Sequence, residues 1–165
     1  MKSKFDYTIY TDGGCFPNPG VGGWGWVRLN SNGEYVDEGA GDSDYATNNM
    51  MELQAVIDSL NHINNPCSVH IVSDSMYVVN GINKWVDKWF RINKEWIANK
   101  EMWRDIHDLK RKHDVTASWV KGHSGNEWNE FVDDIANGRV TKLYIDLTGE
   151  KPSFDFKKRT KSLDI

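Results

Sequence analysis

The chain has 165 residues, 39% hydrophobic, 27% charged and 12% aromatic, with a net charge of −4. This suits one domain of about 100–200 residues with its own core and excludes disorder as a description of the whole chain. The apolar runs are too short to cross a membrane, Met1–Asp6 lacks the apolar stretch of a signal peptide, and two cysteines make no disulfide scaffold, so a cytoplasmic protein in a reducing compartment is expected.

Asp6–Thr11 alternates and is rich in β-branched and aromatic residues, which predicts a strand. Gly13 to Gly23 holds Pro17, Pro19 and five glycines and is expected to be loop. Trp24–Leu29 resumes as a strand, Ser31-Asn32-Gly33 signals a hairpin, and Glu34–Ala40 supplies its partner. The period then becomes helical. Met50, Leu53, Val56, Ile57, Leu60 and Ile63 share one face, Thr47 or Asn48 is a natural N-cap, and Pro66 lies just past the end. Val69–Val72 suggests a buried strand. Short helices are expected at Met76–Ile82 and Lys84–Phe90, separated near Gly81, and a further helix at Asn99–Lys112. Val115–Val120 completes the strands and Glu127–Val140 the helices. This order indicates an α/β fold with a mixed sheet. Residues 1–142 form the expected domain, with 143–165 a partly mobile C-terminal tail.

Several acids fall near one edge of that sheet. Asp12 ends the first predicted strand and Asp74 follows the fourth, so side-by-side pairing would bring them together. Glu52 lies in the first turn of the long helix, and Asp133 and Asp134 lie in the last helix. Clustered carboxylates repel unless a cation fills the gap. Oxygen ligands without a cysteine or histidine cluster favour Mg²⁺ or Mn²⁺ over zinc. Two such ions about 3.5–4 Å apart can clamp a phosphodiester for attack by water. Each acid also has an ordinary role open to it: Asp12 in a turn, Glu52 beside the helix dipole, Asp74 as an N-cap.

Charge is unevenly spread. Lys84–Lys112 carries nine Lys/Arg against five Asp/Glu, a local +4, and leaves −8 to the rest. The same stretch holds Trp85, Trp89, Trp96 and Trp103, half of the eight tryptophans. Interleaved cations and aromatics suit a nucleic-acid backbone, and they equally suit a helix pair with a tryptophan core and solvated lysines.

Four motifs carry a resemblance. Tyr10-Thr11-Asp12-Gly13-Gly14-Cys15 with Asn18-Pro19-Gly20 and Gly22-Gly23-Trp24-Gly25 comes first, followed by Thr47-Asn48-Asn49-Met50-Met51-Glu52-Leu53. Ser73-Asp74-Ser75 with Tyr77-Val78 is third. Trp119-Val120-Lys121-Gly122-His123-Ser124-Gly125 with Asn129-Glu130 and Asp133 is fourth. In this order, over about Phe5 to Val140, they resemble a type 1 ribonuclease H of the bacterial kind. Gly81–Trp85 resembles the start of that family's basic handle.

The resemblance implies a five-stranded mixed sheet flanked by helices in the ribonuclease H-like fold. It also implies metal-dependent endonucleolysis of the RNA strand of RNA/DNA hybrids, leaving 5′-phosphate and 3′-hydroxyl ends. Asp12, Glu52, Asp74 and Asp133 would hold two Mg²⁺ ions, with Mn²⁺ able to substitute. Asp133 is preferred to Asp134 because it lies ten residues after His123. His123 would assist catalysis and product release, as an imidazole in a loop can. Cys15, Asn18, Asn48 and Asn49 would read 2′-hydroxyls. Thr47 and Asn18 would grip a DNA phosphate. Lys84, Lys88 and Arg91 would form the handle with Lys94, framed by Trp85 and Trp89. Met76 would also contact substrate, packing on a sugar, though it departs from the pattern, since many relatives carry a glutamine there that bonds in the minor groove. The partner would be a hybrid duplex, with no membrane and no obligatory protein partner, and the chain a monomer. The alternative is a catalytically weak module of the same fold that binds hybrids or double-stranded RNA. An integrase or resolvase would lack the Asn48-Asn49 pair and the loop around His123. A phosphatase would need a second acid where Gly14 stands.

Overall fold

The computed structural model describes residues 3–153. Five strands, β1 (Tyr7–Phe16), β2 (Gly20–Asn30), β3 (Tyr35–Ala46), β4 (Ser68–Ser73) and β5 (Asp114–Trp119), form one sheet in the order β3-β2-β1-β4-β5. The first three strands are an antiparallel meander, and β4 and β5 add in parallel. The helices are α1 (Asn48–Asn61), α2 (Met76–Asn80), α3 (Val86–Arg91), α4 (Lys100–Lys112) and α5 (Glu127–Thr148).

The main core lies on one face of the sheet. Ile9, Ile71, Val115 and Ala117 of the strands meet Leu53, Val56 and Leu60 of α1, Trp103 and Ile106 of α4, and Ile82 from the turn between α2 and α3. Strand alternation sends Tyr10, Val27 and Leu29 to the other face, where α5 covers them with Trp128, Phe131 and Val132.

The stretch expected to be loop from Gly13 to Gly23 is mostly sheet. Only Pro17 to Pro19 turn, and β1 runs on through the glycines to Phe16. The reason is helix packing. A Cβ on Gly13 would come within 2.6 Å of the Glu52 backbone nitrogen, and one on Gly23 would lie 2.9 Å from the Ala136 carbonyl. Glycine here admits α1 on one face and α5 on the other, so Asp12 lies inside its strand and does not end it.

The break expected near Gly81 is also filled. A π-helical turn, Gly81–Trp85, joins α2 to α3, because glycine lets this segment press onto the ring of Trp103. In that turn the Asn83 amide accepts from Ala117 N at 2.9 Å and donates to Ala117 O at 2.8 Å, pairing the outer edge of β5. At the C-terminus α5 runs past residue 142, where a tail was expected, to Thr148. Gly149, with φ +75°, ends it by donating to Ile145 O at 2.8 Å. The rest of the expected tail, from residue 154, lies outside the described residues.

Candidate active site

β1 and β4 pair in parallel through Thr11↔Ser73 and then separate. The next residue on each is an aspartate, so Asp12 and Asp74 face each other where the strands part. Thr47 starts α1 by accepting from Met50 N at 3.2 Å, and the close approach at Gly13 brings the second turn of α1 to the same place. Asp12, Glu52 and Asp74 are 0%, 0% and 3% exposed, and one oxygen from each lies within 4.8 Å of the other two. Three buried carboxylates at that separation repel one another, and a divalent cation removes the repulsion. The all-oxygen donor set suits a hard ion.

Asp133 is buried as well, whereas Asp134 beside it is exposed. Asp133 falls outside the 4.8 Å grouping of the other three. The loop after β5 bridges the gap. A Cβ on Gly122 would lie 2.7 Å from Asp74 Oδ2, and His123, at φ +58°, carries Nδ1 3.9 Å from Asp133 Oδ2. His123 is exposed and faces solvent as well as the acid.

Beside this crevice three further residues form one network. Asn48 Oδ1 accepts from Cys15 N at 3.1 Å, and Asn18 Oδ1 accepts from Asn48 N at 3.2 Å and from the Cys15 thiol at 3.3 Å. The turn between β1 and β2 is thereby tied to the N-terminus of α1. Asn49 Oδ1 is a buried acceptor with no hydrogen-bond partner among the described residues.

The model of the RNase H family matches residues 4–141. The chain belongs to the ribonuclease H family. It is 44% identical over 149 residues to a ribonuclease H of Francisella philomiragia, covering 87% of this chain and 96% of that one. Another relative, from Campylobacter curvus, is 41% identical over 141 residues, covering 82% and 93%. The fold is similar to the crystal structure of LC9-RNase H1, a type 1 RNase H with the type 2 active-site motif. That likeness has a TM-score of 0.72 and 27% identity and covers 81% of this chain and 71% of the other. The chain is therefore a hydrolase that cuts RNA paired with DNA, and its acidic cluster fits the divalent metal such an enzyme requires.

In this ribonuclease H the basic segment differs sharply from the crevice. Lys84, Lys88 and Arg91 are exposed on the π turn and α3. Trp85 stacks on Trp89 at 5.7 Å, and Trp89 meets the buried Trp103 edge-on at 5.8 Å, so Trp89 leans on the core and Trp85 on Trp89, both half-buried. Trp96 is 76% exposed. Met76 opens α2, half-buried, next to the Ser75 cap.

Two contacts were not expected from the sequence. The Trp119 indole donates to the Asp74 carbonyl at 3.0 Å, although Trp119 is 49% exposed. Asn137 donates to Asp133 Oδ2 at 3.2 Å. The i, i+4 spacing of Asp133 and Asn137 was a usable signal for the second. Nothing local announces the first.

Proposed function

We propose that Asp12, Glu52 and Asp74, joined by Asp133, hold two Mg²⁺ ions, with Mn²⁺ able to substitute, and that cleavage of the RNA strand leaves 5′-phosphate and 3′-hydroxyl ends. The observation that carries this is the closeness of three buried carboxylates from three separate elements. Such ions, when bound, supply an activated water and neutralise charge at the phosphodiester. The remaining work falls to the chain. The carboxylates fix the ligand geometry, and burial keeps competing water away from it. His123, within reach of Asp133 and open to solvent, moves a proton or loosens product at the mouth of the crevice.

Cys15, Asn18, Asn48 and Asn49 read 2′-hydroxyls of the RNA strand. Their support is the hydrogen-bonded network of Cys15, Asn18 and Asn48, together with the buried acceptor on Asn49. Thr47 and Asn18 contact a DNA phosphate, and Lys84, Lys88 and Arg91, with Trp85 and Trp89, hold the DNA strand farther out. The chain acts as a monomer on a hybrid duplex. Among the described residues no helix is long and apolar enough to cross a membrane.

The test is cleavage of an end-labelled RNA/DNA hybrid with Mg²⁺, with Mn²⁺ and with chelator, followed by analysis of the product ends. Metal-dependent cuts in RNA alone, bearing 5′-phosphates, are expected. Binding without cleavage in either metal would favour the inactive-module alternative.

A further inference from the structure

Sequence periodicity ends the last helix at Val140, yet α5 continues for eight residues more, to Thr148. That is about 12 Å of extra helix. It does not project idly. Leu143 and Tyr144 join Val140, Val21 and Phe16 in a small apolar cluster separate from the main core. Tyr144 sets its ring edge-on to Phe16, with centroids 5.3 Å apart.

Phe16 is the last residue of β1, directly before the Pro17–Pro19 turn that carries Asn18. Successive strand residues face opposite sides of a sheet. Cys15 therefore faces α1, where it bonds Asn48, and Phe16 faces α5. The turn is gripped from both sides. The N-terminus of α1 holds it through Cys15 and Asn18, and the extension of α5 holds it through Phe16. Gly20 closes it tightly, since a Cβ there would come within 2.6 Å of Pro17 N. Asn18 itself is exposed at the tip.

We propose that Tyr144 is a positioning residue for hybrid recognition. Its ring, carried on the extension of α5, holds Phe16 so that the turn presents Asn18 to the RNA strand. The inference rests on the reading of Asn18 as a substrate contact and adds an element outside every motif that marked the site. Tyr144 touches no reacting atom. Its effect belongs in substrate binding and not in the chemical step.

The experiment is a double-mutant cycle with the full chain, measuring kcat, KM for a hybrid in Mg²⁺, and Tm. Tyr144→Ala should raise KM about three- to tenfold, the range an aromatic pair supports, with kcat within about twofold of the parent. Tyr144→Phe, which keeps the ring, should restore the parent KM. In an Asn18→Ala background, Tyr144→Ala should add less than about twofold, because the group it positions is gone. Additive KM effects, a fall in kcat, or a lowered Tm with unchanged KM would each overturn the proposal. If Asn18→Ala leaves KM untouched, the substrate reading of the turn fails and takes this inference with it. If Asn18→Ala raises KM and Tyr144→Ala does not, the positioning role alone is wrong. Tyr144→Leu, which keeps bulk but loses the ring, replaces the alanine variant should that chain fail to fold, with the same expectations.

Discussion

The carboxylate crevice and the basic tryptophan segment handle charge in opposite ways. In the crevice, Asp12, Glu52 and Asp74 are buried and crowded, and their placement depends on glycine-mediated contact between α1 and β1. In the segment, Lys84, Lys88 and Arg91 stand in solvent on a short helical stretch leaning on Trp103. Buried like charges interact strongly and invite an ion. Exposed cations are screened, act nearly independently, and suit a long polyanion gripped at several weak points. The first region should therefore respond to single changes in an all-or-none way, and the second in a graded, salt-dependent way.

The largest effect expected is from Asp12→Asn. Losing one anionic ligand should lower kcat by about a thousandfold or more. Tm should hold or rise, because one buried charge is gone from a repelling group. Near-normal turnover would remove the metal-cluster mechanism. Next comes Gly13→Ala, which removes no carboxylate but forces α1 off the sheet. It should cost about 3 kcal/mol, a fall in Tm of about 6–12 °C in a thermal melt. Residual activity below the new Tm should also be impaired, since Glu52 shifts with α1. An alanine variant with parental stability and rate would show that the close approach is not needed.

Neutralising Lys84, Lys88 and Arg91 together should raise hybrid KM about tenfold at moderate salt and leave kcat at saturation unchanged. The slope of log affinity against log salt should flatten by about 2–3, one unit or slightly less per lost phosphate contact. A large drop in kcat instead would place these residues in the chemistry.

The smallest effect lies at the far end of the sheet from the crevice. His113 is buried and accepts from Cys67 N at 3.2 Å, and burial, followed by the nearby Lys112 charge, pushes its pKa below the usual 6.5. Burial also lowers His70, which sits between Thr116 and Ser118. Both bind a proton less readily in the fold than in the unfolded chain, which takes up protons as pH falls through 6.5. Their contribution to stability is thus complete above that pH and lost as pH falls below it. Urea midpoints at pH 7 and pH 5 should differ less in His113→Gln than in the parent. An unchanged difference would exclude His113 as a source of acid sensitivity.

Local patterns announced much of this architecture. The helical period of α1, its Thr47 cap and the short apolar β4 lie within a few residues of their expected limits, because each reflects contacts along the chain itself. The run from Gly13 to Gly23 misled for a physical reason. Glycine marks flexible loops in isolation, but here it marks strands on which helices sit too closely for a Cβ. The end of α5 was hidden likewise. Its extension is held by Phe16 and Val21, more than a hundred residues away.

By itself, the sequence determined the kind of chemistry: four ordered motifs of acids, amides and a loop histidine, and an element order that allows one mixed sheet. Tertiary structure alone decided that Asp12, Glu52 and Asp74 converge within 4.8 Å, and that Asp133, outside that grouping, lies 3.9 Å from His123 Nδ1. It also decided that Trp119 braces Asp74 and that α5 supports the Asn18 turn. Periodicity is written in neighbouring residues. Proximity between distant ones exists only once strands pair in register and helices close on the glycines between them.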